Sequence, residues 1–516
     1  MRAERKTDTK NGIVRLVFAA LAVVSQIYWI YAALAWLDES YTWISMIVQV
    51  LALLLVMYIY GTHMDASMKM PWVVLIMVAP LLGSILWFLM GRRDATARMR
   101  ARFQKIDAGL MPILDNNPQV QEELKAASPD PAGIAWYLSH TCCFPLYRAE
   151  DVTYYPEAVQ GLEAQLEDLA KAEHFIFMEY HAIEDKESFA RIRAILKQKA
   201  AEGVDVRVFY DDIGSIGFLN GSFIREMEAD GIRCRVFNRV IPVLAIFMNN
   251  RDHRKITVID GTIAFTGGYN LANEYFGVTH PYGHWKDTGV RLTGACVRSF
   301  TVLFLEMWNA IHQDDADDED FEPYFPEIKM AKPGKGFVQP YADSPLDEEH
   351  TGENVYLNVA NQAHRYAYYI TPYLIITDEM NRALTLAARR GVDVRIITPG
   401  IPDKKITYAI TRSYYRHLAD KGVRIFEYAP GFCHAKMCVS DDVVATCGTI
   451  NLDYRSLYHH FENGCVLYDC SAVQEIRDDF RSLFPQCREV TEHYATHQNA
   501  FMRIVRCVLR LIAPLL

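Results

Sequence analysis

Three uncharged apolar blocks, 16–37, 41–61 and 70–91, open the chain, and beyond them the apolar residues regroup into short runs separated by helical patterns and glycine turns. A membrane-crossing helix needs about 20 predominantly apolar residues, so each block is long enough to span. Residues 1–110 therefore read as a membrane-anchor region of two to three apolar helices. The first block lacks a small-residue cleavage pattern and reads as a retained anchor. Arg2, Arg5, Lys6, Lys10 and Arg15 precede it, while Arg92, Arg93, Arg98, Arg100, Arg102 and Lys105 follow the third block. The positive-inside tendency wants both flanks cytoplasmic, yet three full crossings would separate them. One block should fail to cross, and Pro80 with Gly83 marks the third as broken or re-entrant. Three ordinary spans with an external catalytic region is the competing reading. At the other end, Arg503, Arg506 and Arg510 recur at helical spacing among Phe501, Ile504, Val505, Val508 and Leu509, predicting an amphipathic helix over 498–516. It suits either an anionic bilayer surface or docking on its own domain.

The middle of the chain repeats itself. Residues 202–210, Glu-Gly-Val-Asp-Val-Arg-Val-Phe-Tyr, are echoed at 390–398 by Arg-Gly-Val-Asp-Val-Arg-Ile-Ile-Thr. Strand patterns at 175–180 and 366–370 precede helical patterns at 188–201 and 378–390, so each echo closes a strand, helix, glycine turn and strand. That is a βαβ unit with its helix laid over a sheet. The predicted fold is α/β: two pseudo-symmetric halves, 111–312 and 339–497, each a mixed, mostly parallel sheet flanked by helices. Residues 313–338, acidic over 314–320 and broken by Pro323, Pro326 and Pro333, read as a solvated linker.

A chain of 516 residues can hold two cores and a membrane region. Its formal net charge of −10 supplies no field for nucleic acid. The eleven cysteines are odd in number and scattered, without a C-x2-C pair. They read as reduced small hydrophobes in a reducing compartment, which favours a cytoplasmic catalytic region.

The chemistry lies in a signature written twice: His253-x-Lys255-x4-Asp260 and His434-x-Lys436-x4-Asp441, continued by Gly267-Gly268-Tyr269-Asn270 and Gly448-Thr449-Ile450-Asn451. The patterns predict strands at 255–259 and 436–439, each turning into a second short strand at 263–266 and 443–446. On a strand, residues two apart share a face, so each half presents an imidazole beside an ammonium. A phosphodiester is anionic. Lys255 and Lys436 can bind its non-bridging oxygens, and Asn270 and Asn451 can add amide donors, an arrangement able to replace a metal ion. One histidine can then attack phosphorus while the other protonates the leaving oxygen. Each ring needs its second nitrogen held, and Asp287 and Glu462, downstream of the respective signatures, are the candidate orienting carboxylates. Asp260 and Asp441 complete the signatures but fall at an odd count from the histidines, which suits support of the local turn. One isolated signature would carry little weight; two copies on one repeat carry a great deal. His174, His181, His364 and His459 have no expected catalytic role, and Tyr366, Tyr368 and Tyr369 read as core.

These paired motifs resemble the phospholipase D superfamily and, within it, the bacterial cardiolipin synthases. The closer likeness runs through 71–92 ending Leu-Met-Gly-Arg, Tyr210-Asp-Asp-Ile-Gly-Ser215, residues 250–261, Thr266-Gly-Gly-Tyr-Asn270 and Thr371-Pro-Tyr373. The resemblance covers the chain from about Met70 onward. It implies two phospholipase D-like halves in a multi-pass protein of the bacterial cell membrane, acting on phosphatidylglycerol among anionic lipids, with no nucleic-acid partner. It implies transfer between two phosphatidylglycerol molecules, giving cardiolipin and glycerol without a metal or nucleotide cofactor. It further implies His253 as nucleophile and His434 as general acid, roles that symmetry alone leaves open. Gly268 and Thr449 stand where the motif often carries Ser. Hydrolysis to phosphatidic acid is the nearest alternative, followed by a non-catalytic membrane scaffold.

Overall fold

The computed structural model describes residues 42–91, 96–239, 250–311, 320–328 and 334–496, with a few single positions beyond them. Most of the first apolar block, and nearly all of the stretch expected to form the carboxyl-terminal amphipathic helix, lie outside the described residues. At Arg510, which is described, the guanidinium sits 4.4 Å over the Tyr414 ring of the second half.

The second block forms the helix Thr42–Gly61, and within it Trp43–Gly61 has mean hydropathy 2.2 and is 11% buried. Among the described residues it is the one helix long and apolar enough to cross a membrane. The third block is interrupted, as Pro80 led us to expect. Helix Ala66–Val78 stops at Ala79, and Pro80 opens the short helix Pro80–Leu86, which widens into a π-helical turn over Trp87–Gly91. Proline is tolerated in a first turn, where its missing N–H has no intrahelical partner. Gly83 lets the two pieces touch: a Cβ there would lie 2.7 Å from Ile76 Cα.

The two halves share one sheet order. In the first it runs Val152–Tyr155, Gly289–Thr293, Ile263–Gly267, Lys255–Ile259, Phe175–Tyr180, Asp205–Asp211, Arg233–Phe237. In the second it runs Phe337–Asp343, His460–Tyr468, Val444–Gly448, Met437–Ser440, Tyr366–Ile370, Asp393–Pro399, Arg424–Tyr428, with Tyr147–Arg148 and Cys487–Glu489 added at the edges. The expected parallel character holds only for the βαβ portions, Phe175–Tyr180 to Arg233–Phe237 and Tyr366–Ile370 to Arg424–Tyr428. The other pairings along the two main sheets are antiparallel, and short parallel pairs lie beside them. The reason is local: each signature strand folds back by a tight hairpin instead of a helical crossover, and hairpins pair antiparallel.

Helix Asp378–Arg389 shows how the sequence builds the covering layer. Met380, Ala383, Leu384 and Ala387 form its buried stripe, and Thr377 Oγ1 accepts from Met380 N at 3.1 Å as N-cap. Helix Val297–Ile311 is buried along most of its length, because it lies inside the shared core. There Phe177 stacks on Phe304 at 4.5 Å and Phe304 on Trp308 at 5.8 Å. Full burial of a Phe side chain contributes roughly 1.5–3 kcal/mol. The acidic stretch is less solvated than its composition suggests, since Asp318 forms a bidentate pair with the buried Arg207 guanidinium.

Candidate active site

The strand leading into each signature pairs in parallel with the strand that carries the other half's carboxylate. Arg251–Asp252 lies alongside His460–Phe461, and Gly431–Cys433 lies alongside His284–Lys286. The backbone continues the match: His253 N donates to Phe461 O at 2.9 Å and His434 N to Lys286 O at 2.7 Å. The orienting carboxylates are consequently exchanged between halves. His253 Nδ1 lies 2.9 Å from both oxygens of Glu462, and His434 Nδ1 lies 2.7 Å from Asp287 Oδ2. Both residues singled out in the sequence are in place, but each serves the opposite signature from the one it follows.

The lysines fold back onto their own motifs. Lys255 Nζ donates to His253 O at 2.6 Å, and Lys436 Nζ donates to His434 O and lies 2.8 Å from His434 Nδ1. Alternation along the strand holds: Arg254 turns to the opposite face, where it meets Glu306 at 2.9 Å. Asn270 is already engaged, its Oδ1 accepting from Ala182 N at 3.2 Å and its Nδ2 donating to Tyr275 Oη at 2.8 Å. Asn451 is buried, with Oδ1 unpartnered among the described residues. Asp260 accepts from the backbone N–H groups of Glu173, His174 and Phe175, each at 2.8 Å. Asp441 accepts from those of His364, Arg365 and Tyr366 at 2.6 to 2.9 Å. The signature aspartates thus tie the hairpin turn to the start of the neighbouring strand, and their carboxylates are not directed to the histidines.

Burial governs the electrostatics. It pushes His253 well below the usual imidazole range, with the Lys255 ammonium adding to the effect. It takes His434 to about 4, aided by Lys436 and opposed by Asp287. Lys255 falls to about 8 and Lys436 to about 7, again chiefly through burial, and the same cause raises Glu462 well above the carboxylate range. Both signature rings are therefore held neutral near pH 7.

The sequence reading missed the walls of the site. Beside His253 stand His181, 4.9 Å away between ring centres and donating from Nδ1 to Asp252 O at 2.6 Å, and His460, 5.4 Å away. Neither His460 nitrogen has a hydrogen-bond partner among the described residues. Beside His434 stand Tyr275, Trp285 and Phe432, at 5.3, 5.5 and 5.9 Å. A period-two reading would have found the register pairs: Arg251 and Phe432 precede the signature histidines by two residues, and His460 and Trp285 precede the carboxylates by two. His253, His460 and Glu462 also bring three candidate ligand atoms within 4.8 Å of one another. His253 and Glu462 are already joined by the orienting hydrogen bonds, which a cation held between them would have to displace.

Two symmetric halves that carry one signature each and exchange the carboxylates that hold their histidines define a phosphodiester-transfer enzyme of the phospholipase D type. The family described as "Cardiolipin synthase, PLD-like domain" matches residues 166–289 and 356–484, and that described as "Phospholipase_D-nuclease N-terminal" matches 50–92. The chain is 31% identical to a cardiolipin synthase of Geobacillus thermodenitrificans, over 86% of this chain and 88% of that protein. It is 35% identical to cardiolipin synthase 2 of Bacillus cereus, over 69% of each. An uncharacterized protein of Streptococcus mutans is 40% identical over 89% of this chain and 99% of its own length. The crystal structure of a phosphatidylserine synthase from Haemophilus influenzae shares the fold, with a TM-score of 0.55 at 14% identity over 72% of this chain and 95% of that one. The chain belongs to the bacterial cardiolipin synthases of the phospholipase D superfamily.

Proposed function

We propose that the protein makes cardiolipin by moving a phosphatidyl group from one phosphatidylglycerol to a glycerol hydroxyl of another, through a phosphohistidine. The observation that carries this reading is the pair of histidines, each held at Nδ1 by a carboxylate of the opposite half. That bond leaves Nε2 of His253 with its lone pair, and Nε2 attacks phosphorus while the P–O bond to glycerol breaks. His434 gives its proton to the departing oxygen. Lys255, Lys436, Asn270 and Asn451 hold the phosphoryl oxygens, and the bound anion raises the proton affinity of His434 from its low resting value. In the second step the hydroxyl of the second lipid returns its proton to His434, its oxygen bonds to phosphorus, and the P–N bond to His253 breaks. The phosphorus ends on the second lipid, and both histidines end as they began.

The apolar helix Thr42–Gly61 supports a membrane substrate. The basic flanks around the apolar blocks and the unpaired cysteines support a multi-pass anchor with the catalytic halves on the cytoplasmic side. The test is purified full-length protein in phosphatidylglycerol vesicles with a chelator present. Cardiolipin and glycerol should form in equal amounts, and His253→Ala or His434→Ala should each lower turnover by at least ~10³-fold. Phosphatidic acid as the main product would overturn the transfer reading, and unchanged turnover in either variant would overturn the mechanism.

A further inference from the structure

The two ends of the site differ at matched positions. Beside His253 the register partners across the halves are Arg251 and His460; beside His434 they are Phe432 and Trp285. Tyr275 completes the second wall, 4.7 Å from Trp285, and Trp285 lies 4.8 Å from Phe432. All three aromatic residues are buried. Two polar groups in this cage are left to a ligand. Trp285 Nε1 is buried without a hydrogen-bond partner among the described residues, and Tyr275 Oη accepts from Asn270 Nδ2, which leaves the phenol's own proton to donate. A buried N–H is costly to leave unpaired, so a site that does so is matched to an acceptor that arrives with the substrate.

We infer that the cage of Tyr275, Trp285 and Phe432 around His434 is the alcohol subsite, holding first the glycerol that leaves and then the glycerol of the incoming lipid. This rests on the phosphatidyl transfer proposed above. A small polyol has the matching chemistry: its C–H faces pack on the rings, and its hydroxyl oxygens meet the Trp285 N–H and the Tyr275 O–H. Its reacting hydroxyl then lies at His434, the residue that must take the proton. Water gains nothing from the ring faces and is displaced when the polyol fills the cage, so the cage sets the ratio of transfer to hydrolysis.

Full-length protein in phosphatidylglycerol vesicles reads this directly as the ratio of phosphatidic acid to cardiolipin. Phe432→Ala opens the cage and should raise that ratio ~10-fold or more, and Trp285→Phe, which keeps the ring but removes the N–H, should raise it ~3-fold or more with a higher KM for lipid. His460→Gln, at the mirrored position, should leave the ratio at the wild-type value. Trp285→Phe keeps an aromatic ring in the wall and keeps the test valid if Phe432→Ala fails to fold. Wild-type ratios in Trp285→Phe, or an equal rise in His460→Gln, would overturn the inference while leaving transfer itself standing. A wild-type protein that forms only phosphatidic acid would instead overturn the transfer reading on which it rests.

Discussion

Beside His253 the site is lined by His181 and His460, with Arg251 the register partner of His460; beside His434 the surface is Tyr275, Trp285 and Phe432. Yet the histidines, lysines, hairpin turns and orienting carboxylates match one for one across the halves. Symmetry is kept in the signatures and the carboxylates that hold them, and is dropped in the walls beside them. A shift at the shared centre would misplace reacting atoms, and misplacement of about 1 Å can cost on the order of 100-fold in rate. The walls carry no such constraint and are free to specialise.

The exchanged carboxylates offer the most severe way to break the comparison. Glu462→Gln and Asp287→Asn should each lower kcat by roughly 10²–10⁴-fold, since an amide no longer fixes the ring tautomer. A kcat within a few-fold of wild type in single-turnover assays would show that the geometry has no catalytic weight. Gly268 and Thr449 sharpen the contrast at a smaller scale. A Cβ at Gly268 would lie 2.1 Å from Asp287 Oδ1, whereas the Thr449 hydroxyl donates to Glu462. Gly268→Ser should push Asp287 off His434 and cost ~10–100-fold, while Thr449→Ser, which keeps the donor, should cost much less. Equal losses in the two variants would refute the asymmetry.

The signature aspartates should separate stability from chemistry. Their φ values of 50° and 55° suit Asn as well as Asp, so Asp260→Asn and Asp441→Asn spare the backbone but remove the charge and one of the two acceptor oxygens. The expected loss is ~1–3 kcal/mol each, read as a lowered denaturation midpoint. A drop in kcat as large as that of Glu462→Gln would instead place them in the chemistry. The mildest effect is on pH. Lys255 and Lys436 are depressed to about 8 and about 7, so the cationic forms that bind phosphate are complete at lower pH and are lost as pH rises through these values. The alkaline limb of kcat/KM should begin near there in wild type and move upward in Lys436→Arg, whose guanidinium does not titrate. A limb that stays in place would assign it to another group.

Much of this architecture was written locally and could be read. Strands Phe175–Tyr180 and Tyr366–Ile370 fall where the apolar runs place them, and the helices that follow start and end within a residue of the periodic pattern. What escaped the sequence was set by pairing between distant segments. Nothing in the spacing of Asp287 from His253 says that its carboxylate will serve His434, because that depends on His284–Lys286 crossing to Gly431–Cys433. The aromatic and polar walls depend on the same crossings. Asp318 likewise looked solvated by composition, and only the position of Arg207 made it part of the packing.

The exchange of carboxylates also governs when the protein can first act. During synthesis His253 emerges more than two hundred residues before Glu462, and its ring has no orienting partner until the strand His460–Tyr468 has been made and docked. A nascent chain that has made only its first half therefore carries a signature histidine whose ring is not yet aligned. The geometry of the first signature is complete only when this strand closes, so alignment of His253 waits on the making of the second half.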